Sequence, residues 1–372
     1  MNERYDIQLE VLTPLALGAG TDKDWARGSD YLVKGNKVYI PDLQKAFALG
    51  CDLDQLSNLL SKSDEEGLCE LFGDKLSKIS KYIFDLPVES FNTIKSFLRN
   101  QLHDKPLIAG SSIKGAVRSA LFNYFRTNEN NEREVIGSIQ DKTDFMRFIQ
   151  IGDIELDSTN LINTKLFNLW KDRDRDVWHG GWKNGFQSTS KYFKSTGFNT
   201  LYECVMPGAK GQGFIKFVTD SFLASLLDEK IEGKTRYAVE KKQLLDGGIE
   251  ELFAVINDYT WAYLKKEEDF FYTYHDAERA DDILNGINNL FSIIPKDNSY
   301  CVIKMSAGSG FHTMTGDWQF NDFTRTGFNP KILKEKGVKV PKFKSRKIAE
   351  FNNGLTLMGF VKISKIHEEP QC

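Results

Sequence analysis

The sequence predicts an α+β protein of two small sheets, each with helices on one face. Three observations carry that expectation. Runs with the period of a strand interleave with runs of helical period, the mixture recurs in both halves, and 372 residues, 41% hydrophobic and 27% charged, are enough for two packed domains. The expected division places one domain, with a helical insertion, in residues 1–198 and the other in residues 199–372.

The first strand is "YDIQLEVLTPL" (5–15), where Ile7, Leu9 and Val11 alternate with polar residues. "DYLVKGNKVYIP" (30–41) reads as a hairpin around Gly35-Asn36, and "PDLQKAFALG" then opens with a proline and closes with a glycine as a helix does. Residues 52–62 and 88–102 read as further helices, "FMRFIQIGDIEL" (145–156) as a strand, and 202–218 as two strands around a glycine turn. In the second half a helical stretch over 237–266 precedes the strand "YCVIKM" (300–305), and "LTLMGFVKIS" (355–364) is read as the closing strand.

The N-terminus lacks a basic start followed by an apolar segment, and no window approaches the roughly 18 apolar residues of a membrane span, so a cytoplasmic protein is expected. Cys51, Cys69, Cys204, Cys301 and Cys372 are scattered without a C-x-x-C pair, which suits reduced thiols better than disulfides or zinc; no metal or cofactor is expected. The net charge of −3 argues against a general nucleic-acid coat, but its distribution is uneven. "KILKEKGVKVPKFKSRK" (331–347) sets Lys331, Lys334, Lys336, Lys339, Lys342, Lys344, Arg346 and Lys347 against Glu335 alone, a pattern that reads either as a solvated loop or as a phosphate-binding arm.

Glycine-rich turns follow expected strands at four places: "LALGAG" (15–20), "IAGSSIKG" (108–115), "MPGAKGQG" (206–213) and "SAGSGFHTMTG" (306–316). Any one alone reads as turn chemistry. The second is richer. Ser111 or Ser112 can cap a helix whose apolar face runs Ile113, Val117, Ala120, Leu121 and Tyr124, with Lys114 and Arg118 on another face. Backbone amides and two cations there suit a phosphodiester rather than a base edge. A Walker A loop is excluded, because Lys114 precedes Gly115 and Ala116 follows it, and no G-x-G-x-x-G is present.

"IAGSSIKGAVRSAL" resembles the signature loop and helix of the RAMP superfamily of CRISPR proteins, in which a G-S-S-x-K-G-x-x-R run recurs. "VLTPLALGAG" and "DYLVKGNKVYIPDLQKAF" are similar to the first strand, turn, hairpin and helix of that superfamily's end-capping subunit in type III-A (Csm) complexes. "YECVMPGAKGQGFIKF" resembles its E-x-x-x-P-G-T element, with Ala209 in place of threonine, and "KMSAGSGFHTMTG" its late G-x-G-S-G loop; Ala109 stands where proline is common. The resemblance implies two tandem ferredoxin-like (RRM-type) domains with helical and loop insertions. It implies a non-catalytic RNA-binding subunit that caps the 3′ side of the crRNA, docks on other Csm-type subunits beside target RNA, and supports crRNA maturation through host nucleases. By residue it carries RNA contact to Gly110, Ser111, Ser112, Lys114, Gly115 and Arg118, and to Gly308, Ser309 and Gly310. Gly18 and Gly20 of the first turn, His312 and Arg325 join them as candidate RNA contacts.

Two other readings stand beside this one: a RAMP-type endoribonuclease, and the equivalent capping subunit of a Cmr-type (III-B) complex. Asp24 and Asp30 follow the first glycine turn where a catalytic aspartate could lie, but a loop aspartate is more often a turn or cap residue. His312 could act as a general base only beside a 2′-hydroxyl and a cation, and is expected instead to donate to backbone or phosphate. Finally, residues 170–198 interleave Trp170, Trp178, Trp182, Phe186, Tyr192 and Phe193 with Lys171, Arg173, Arg175, Lys183, Lys191 and Lys194, which suits either RNA stacking or packing against the protein itself or a neighbour. Neither half carries the aromatic RNP1 motif of sequence-reading RRM sheets.

Overall fold

The N-terminal strand, Asn2–Val11, is the middle of a five-stranded antiparallel sheet in the order Tyr300–Lys304, Phe360–Lys365, Asn2–Val11, Lys210–Val218, Ile149–Ile151. The computed structural model describes residues 2–88, 92–126, 131–172, 177–186, 188–218, 225–227, 229–231, 234–235, 237–305, 307–308, 310–316 and 344–366. Ile7, Leu9 and Val11 are buried, as their alternation predicts, and share a core with Ile215 and Phe217 of the neighbouring strand, Ile303 and Ile363. Ile7 pairs with Gly213 and Leu9 with Gly211. Those two glycines are strand residues rather than part of the turn: a Cβ at either would lie within 2.6 Å of Ile154, whose short strand crosses there. The turn between Thr200–Cys204 and Lys210–Val218 is set by Gly208, at φ 89°.

The second large sheet runs Thr189–Ser190, Val177–Lys183, Asn160–Asp172, Thr200–Cys204, Thr93–Lys95, Trp25–Ala26, with Ser345–Phe351 also paired to Asn160–Asp172 and then to Gly354–Leu357. Its neighbours are antiparallel except Thr93–Lys95 beside Leu201 and Tyr202. Phe167, Leu169 and Trp182 pack with Tyr263, Leu264 and Phe271 and with Ile283, Ile287 and Leu290 of the helix Ala280–Ile293. Both large sheets therefore take strands from either side of residue 199.

One long helix, Val239–Thr273, links the two cores: Leu252, Phe253 and Ile256 lie in the first, Tyr263, Leu264 and Phe271 in the second. It is kinked at Gly248, whose φ of 66° and ψ of −148° belong to a region that side chains other than glycine avoid. A satellite unit fills the early insertion. The hairpin Leu32–Lys34 and Lys37–Pro41 turns over Gly35-Asn36 as expected, Ser80–Asp85 adds a third strand, and helices Leu43–Ala48, Leu53–Ser61, Glu65–Phe72 and Leu76–Ile79 cover it. Asp42, Asp52 and Asp64 cap the first three of these helices through their side chains.

The α+β class is found, and several elements differ from expectation. Residues 88–102 are not a helix where they are described; Thr93–Lys95 is a strand, because backbone pairing on two sides overrides the helical spacing of Ile94, Phe97 and Leu98. Residues 145–156 open with the 3-10 turn Phe145–Phe148 before two short strands. The closing segment is two strands broken at Gly359, at φ 83°. No helix among the described residues is long and apolar enough to cross a membrane. Replacing Gly248 by alanine puts a Cβ 2.8 Å from the Tyr5 hydroxyl and forces a strained backbone, so Gly248→Ala is expected to lose about 1–3 kcal/mol in urea denaturation.

Candidate nucleic-acid interface

Beyond Val11 the N-terminal strand continues as a run of backbone that the other glycine stretches hang on. Gly208 N donates to Val11 O (2.8 Å), Gly359 N to Pro14 O (3.0 Å), Val205 N to Leu15 O (2.9 Å), Ala307 N to Ala16 O (3.1 Å) and Leu98 N to Leu17 O (2.7 Å). Leu107 N donates in turn to Leu98 O (2.8 Å), which sets the start of the signature helix, Gly110–Phe125, beside the first glycine turn. A side-chain contact closes the group, Ser119 Oγ lying 2.9 Å from Thr315 Oγ1 of the late loop. The four stretches therefore converge. Gly18 and Gly310 are exposed with open space where a Cβ would be, and Gly20, at φ 118°, begins a 3-10 turn.

The sequence model of the RAMP superfamily matches residues 8–301, which span the first, signature and third of these stretches. The chain belongs to the RAMP superfamily. Among solved structures this RAMP chain is similar to Csm5 of T. onnurineus, at 16% identity and a TM-score of 0.60, over 95% of this chain and 99% of that one. It is equally similar to a chain of a Csm–crRNA–target RNA ternary complex of a type III-A CRISPR–Cas system, at 16% identity and a TM-score of 0.62, over 98% and 100%. At such identities the likeness is one of fold. No curated protein matches the sequence.

The signature helix of this RAMP chain is built differently from its sequence expectation. Its N-cap is Ala109, without a side-chain cap; Ser111 and Ser112 lie inside the first turn, and the carboxylate of Asp153, from the turn between two short strands, accepts from Gly110 N at 2.7 Å. The chain thus supplies its own anion to the positive end of the helix. Gly110 is needed for that approach, since a Cβ would lie 2.1 Å from Ile151 O. Ile113, Val117, Ala120 and Leu121 are buried as expected, joined by Ser119 and Phe122, while Tyr124 is exposed.

Of the two cations on this helix, Arg118 is committed within the fold, to Glu132 at 2.5 Å and Asp144 at 3.0 Å. Lys114 is half-buried, and burial lowers its ammonium pKa against the opposing pull of Asp144. Ser111 and Gly115 are exposed, and none of the described residues lies within 4 Å of a Cβ at Gly115. The open face is therefore Ser111, Lys114 and Gly115.

His312, expected as a loop donor, is 7% exposed, with Nδ1 3.4 Å from Glu267 Oε1 on the long helix. The other carboxylate oxygen, Oε2, accepts from Arg346 Nε at 2.5 Å, so Glu267 ties the long helix, the late loop and the strand Ser345–Phe351 together. Gly308 and Gly310 both take positive φ. Ser309, Arg325 and the 331–343 part of the basic run lie outside the described residues; of its remainder, Arg346 is buried and Lys347 donates to the Tyr202 hydroxyl.

Asp30 accepts from Ala26 N at 2.8 Å, the turn role expected of it, and Asp24 pairs with Lys95. Sequence reasoning met Glu203, the acid of "YECVMPG", only as the first residue of the E-x-x-x-P-G element and gave it no role. It is buried, accepts from Phe97 N (2.7 Å) and Thr159 Oγ1 (2.6 Å), and pairs with Arg99, fixing the 97–99 segment whose Leu98 N donates to Leu17 O of the first turn. A carboxylate at alternating spacing inside an apolar strand was the signal for it. No group of His, Cys, Asp and Glu among the described residues could hold a metal ion.

Burial pushes the Glu267 carboxyl up, but Arg346 and His312 outweigh it and hold the group below its ordinary value of 4.5. A depressed acid stabilises the fold above that value and loses the contribution as pH falls through the folded one. Glu267→Gln is expected to lose about 3–5 kcal/mol at neutral pH and to flatten the acid-side fall of stability, read by urea denaturation across a pH series.

Proposed function

We propose that this chain is a Csm5-type subunit of a type III-A CRISPR effector that holds the 3′ side of the crRNA without catalysing its cleavage. The observation that carries the reading is the end-to-end likeness in fold to Csm5 and to a chain of a Csm–crRNA–target RNA complex, in a chain that belongs to the RAMP superfamily. The two large sheets with their helices are, in this reading, ferredoxin-like modules. The subunit docks on the neighbouring Csm subunits in the cytoplasm, target RNA passes through the same complex, and host nucleases trim the crRNA 3′ end.

The open face of the signature helix supports an RNA backbone contact. Ser111 offers a hydroxyl, Lys114 a cation, and Gly115 lets a phosphodiester lie close to the helix; none of these reads a base edge. Arg118 and His312 act indirectly here, by fixing the loops around that face. The non-catalytic reading is supported by the engagement of Asp24, Asp30 and His312 in contacts of the fold.

Gly115→Glu places a charged side chain in open space and raises helix propensity, so the variant is expected to keep its melting temperature while complexes assembled with it lose crRNA severalfold. Lys114→Ala is expected to lower the slope of log affinity against log salt by about 0.7. Unchanged crRNA content and 3′-end protection in both variants would sink the proposal.

A further inference from the structure

The segment "KNGFQSTSKYFKSTGF" (183–198) stands apart from the rest of the chain in composition. In a chain of net charge −3, these residues contain three lysines, four aromatics and no acid, the remainder being glycine and hydrogen-bonding side chains. The structure separates aromatics that build the fold from those that do not. Trp182 is fully buried, donates to Glu278 O at 2.7 Å and meets Phe193 edge-on; Trp170 stacks on His179. Phe186 and Tyr192 point outward, 84% and 60% exposed, and Phe198 is exposed beside them.

The exposed rings sit on a pinned frame. Lys165, 1% exposed, sends its ammonium to the carbonyl of Lys194 (2.5 Å), the carbonyl of Gly197 and Asn199 Oδ1 (2.8 Å). Asn184 holds Ser190 Oγ (3.1 Å) and Tyr192 O (2.9 Å), and Asn199 holds Ser195 O (2.6 Å). Lysines lie against the rings: Lys183 Nζ is 4.0 Å from the Phe198 centroid and 5.7 Å from that of Phe186, and Lys191 is 5.3 Å from that of Tyr192. Lys194 is exposed at the same edge.

Outward aromatics with interleaved cations on a hydrogen-bonded backbone, where the Glu278 carboxylate is engaged by Phe193 N at 2.7 Å, match what single-stranded RNA requires, rings for its bases and ammonium groups for its phosphates. We propose that Phe186 and Tyr192 form a stacking platform for single-stranded RNA, with Lys183, Lys191 and Lys194 tracking the backbone. The platform rests on the RNA-binding reading above but not on the signature helix, so the two can fail separately.

The test is the affinity of the full-length chain for a fluorescein-labelled 12-nucleotide uridine RNA over a salt series, with co-purification from complexes carrying the same variants. Phe186→Ala and Tyr192→Ala are each expected to weaken binding roughly 5- to 150-fold with an unchanged salt slope, since stacking is worth ~1–3 kcal/mol per base. Lys183→Ala with Lys191→Ala should reduce the slope by about 1.4. Both rings are exposed, so melting temperatures should hold. Wild-type affinity in the double aromatic variant, with loss in Lys114→Ala, would overturn the platform and leave the signature helix standing. No binding by the wild-type chain together with RNA-free complexes would overturn both readings. Retained RNA affinity with loss of a neighbouring subunit from the complex would show a protein interface instead, and would equally overturn the platform.

Discussion

The backbone run from residue 2 to residue 19 is what the remaining structure is assembled on. Asn2–Glu10 pair with Lys210–Val218 on one edge and Ile7–Val11 with Val361–Lys365 on the other, and from Val11 to Leu17 the run accepts hydrogen bonds from Gly208, Gly359, Val205, Ala307 and Leu98 in succession. Backbone amides and carbonyls at a buried edge have to be paired, so each segment that approaches this run is held in register along it. Four glycine stretches far apart in sequence reach one region for that reason. Loops of this kind can form a binding surface because the backbone run beneath them is hydrogen-bonded along its length.

The distribution of buried charge explains why so few of the expected cations are available to a ligand. Arg118 joins Glu132 and Asp144, Arg99 joins Glu203, Arg346 joins Glu267, and Lys165 and Lys304 end on carbonyl oxygens. Burial pulls the ammonium pKa of Lys165 and Lys304 down to about 8, and so does the surrounding of Lys241 by the rings of Phe125, Phe145 and Tyr237. Such groups are destabilising when unpartnered and hold geometry when satisfied. The nucleic-acid surface proposed for this chain is left with exposed lysines, hydroxyls and bare backbone, so any phosphate contact would be local rather than spread over an acidic surface.

Much of the fold was legible in local pattern. The Gly35-Asn36 hairpin, the N-terminal strand and the long helix announced themselves by turn chemistry and period, because their neighbours in space are also neighbours in sequence or their burial is one-sided. Residues 88–102 misled because Ile94, Phe97 and Leu98 are spaced as on a helix, whereas partners at residues 25–26 and 201–202, invisible to any local window, make Thr93–Lys95 a strand. The site shows the same limit. The glycine and serine positions of the signature run were visible, but the capping carboxylate came from Asp153, 43 residues on, and the partners of Arg118 from Glu132 and Asp144. Residue type predicted that charge would be placed there; only topology decided which charges meet.

Glycines give the sharpest separation between fold and ligand in this chain. Gly110, Gly211 and Gly213 each have a reason inside the molecule, an atom of Ile151 or Ile154 standing where a Cβ would be, and Gly208 and Gly248 need their positive φ. Gly115 has neither. It lies within a sixteen-residue helix, exposed, with none of the described residues within 4 Å of its missing Cβ, where alanine would be more stable by roughly 0.8–1 kcal/mol. Among the described residues the fold gives no reason for a glycine there, and the proposed RNA contact would supply one. On the proposed reading, the Ser111 hydroxyl and the Lys114 ammonium on the same helix face suit an anionic backbone that comes close to the helix, since neither group reads a base edge.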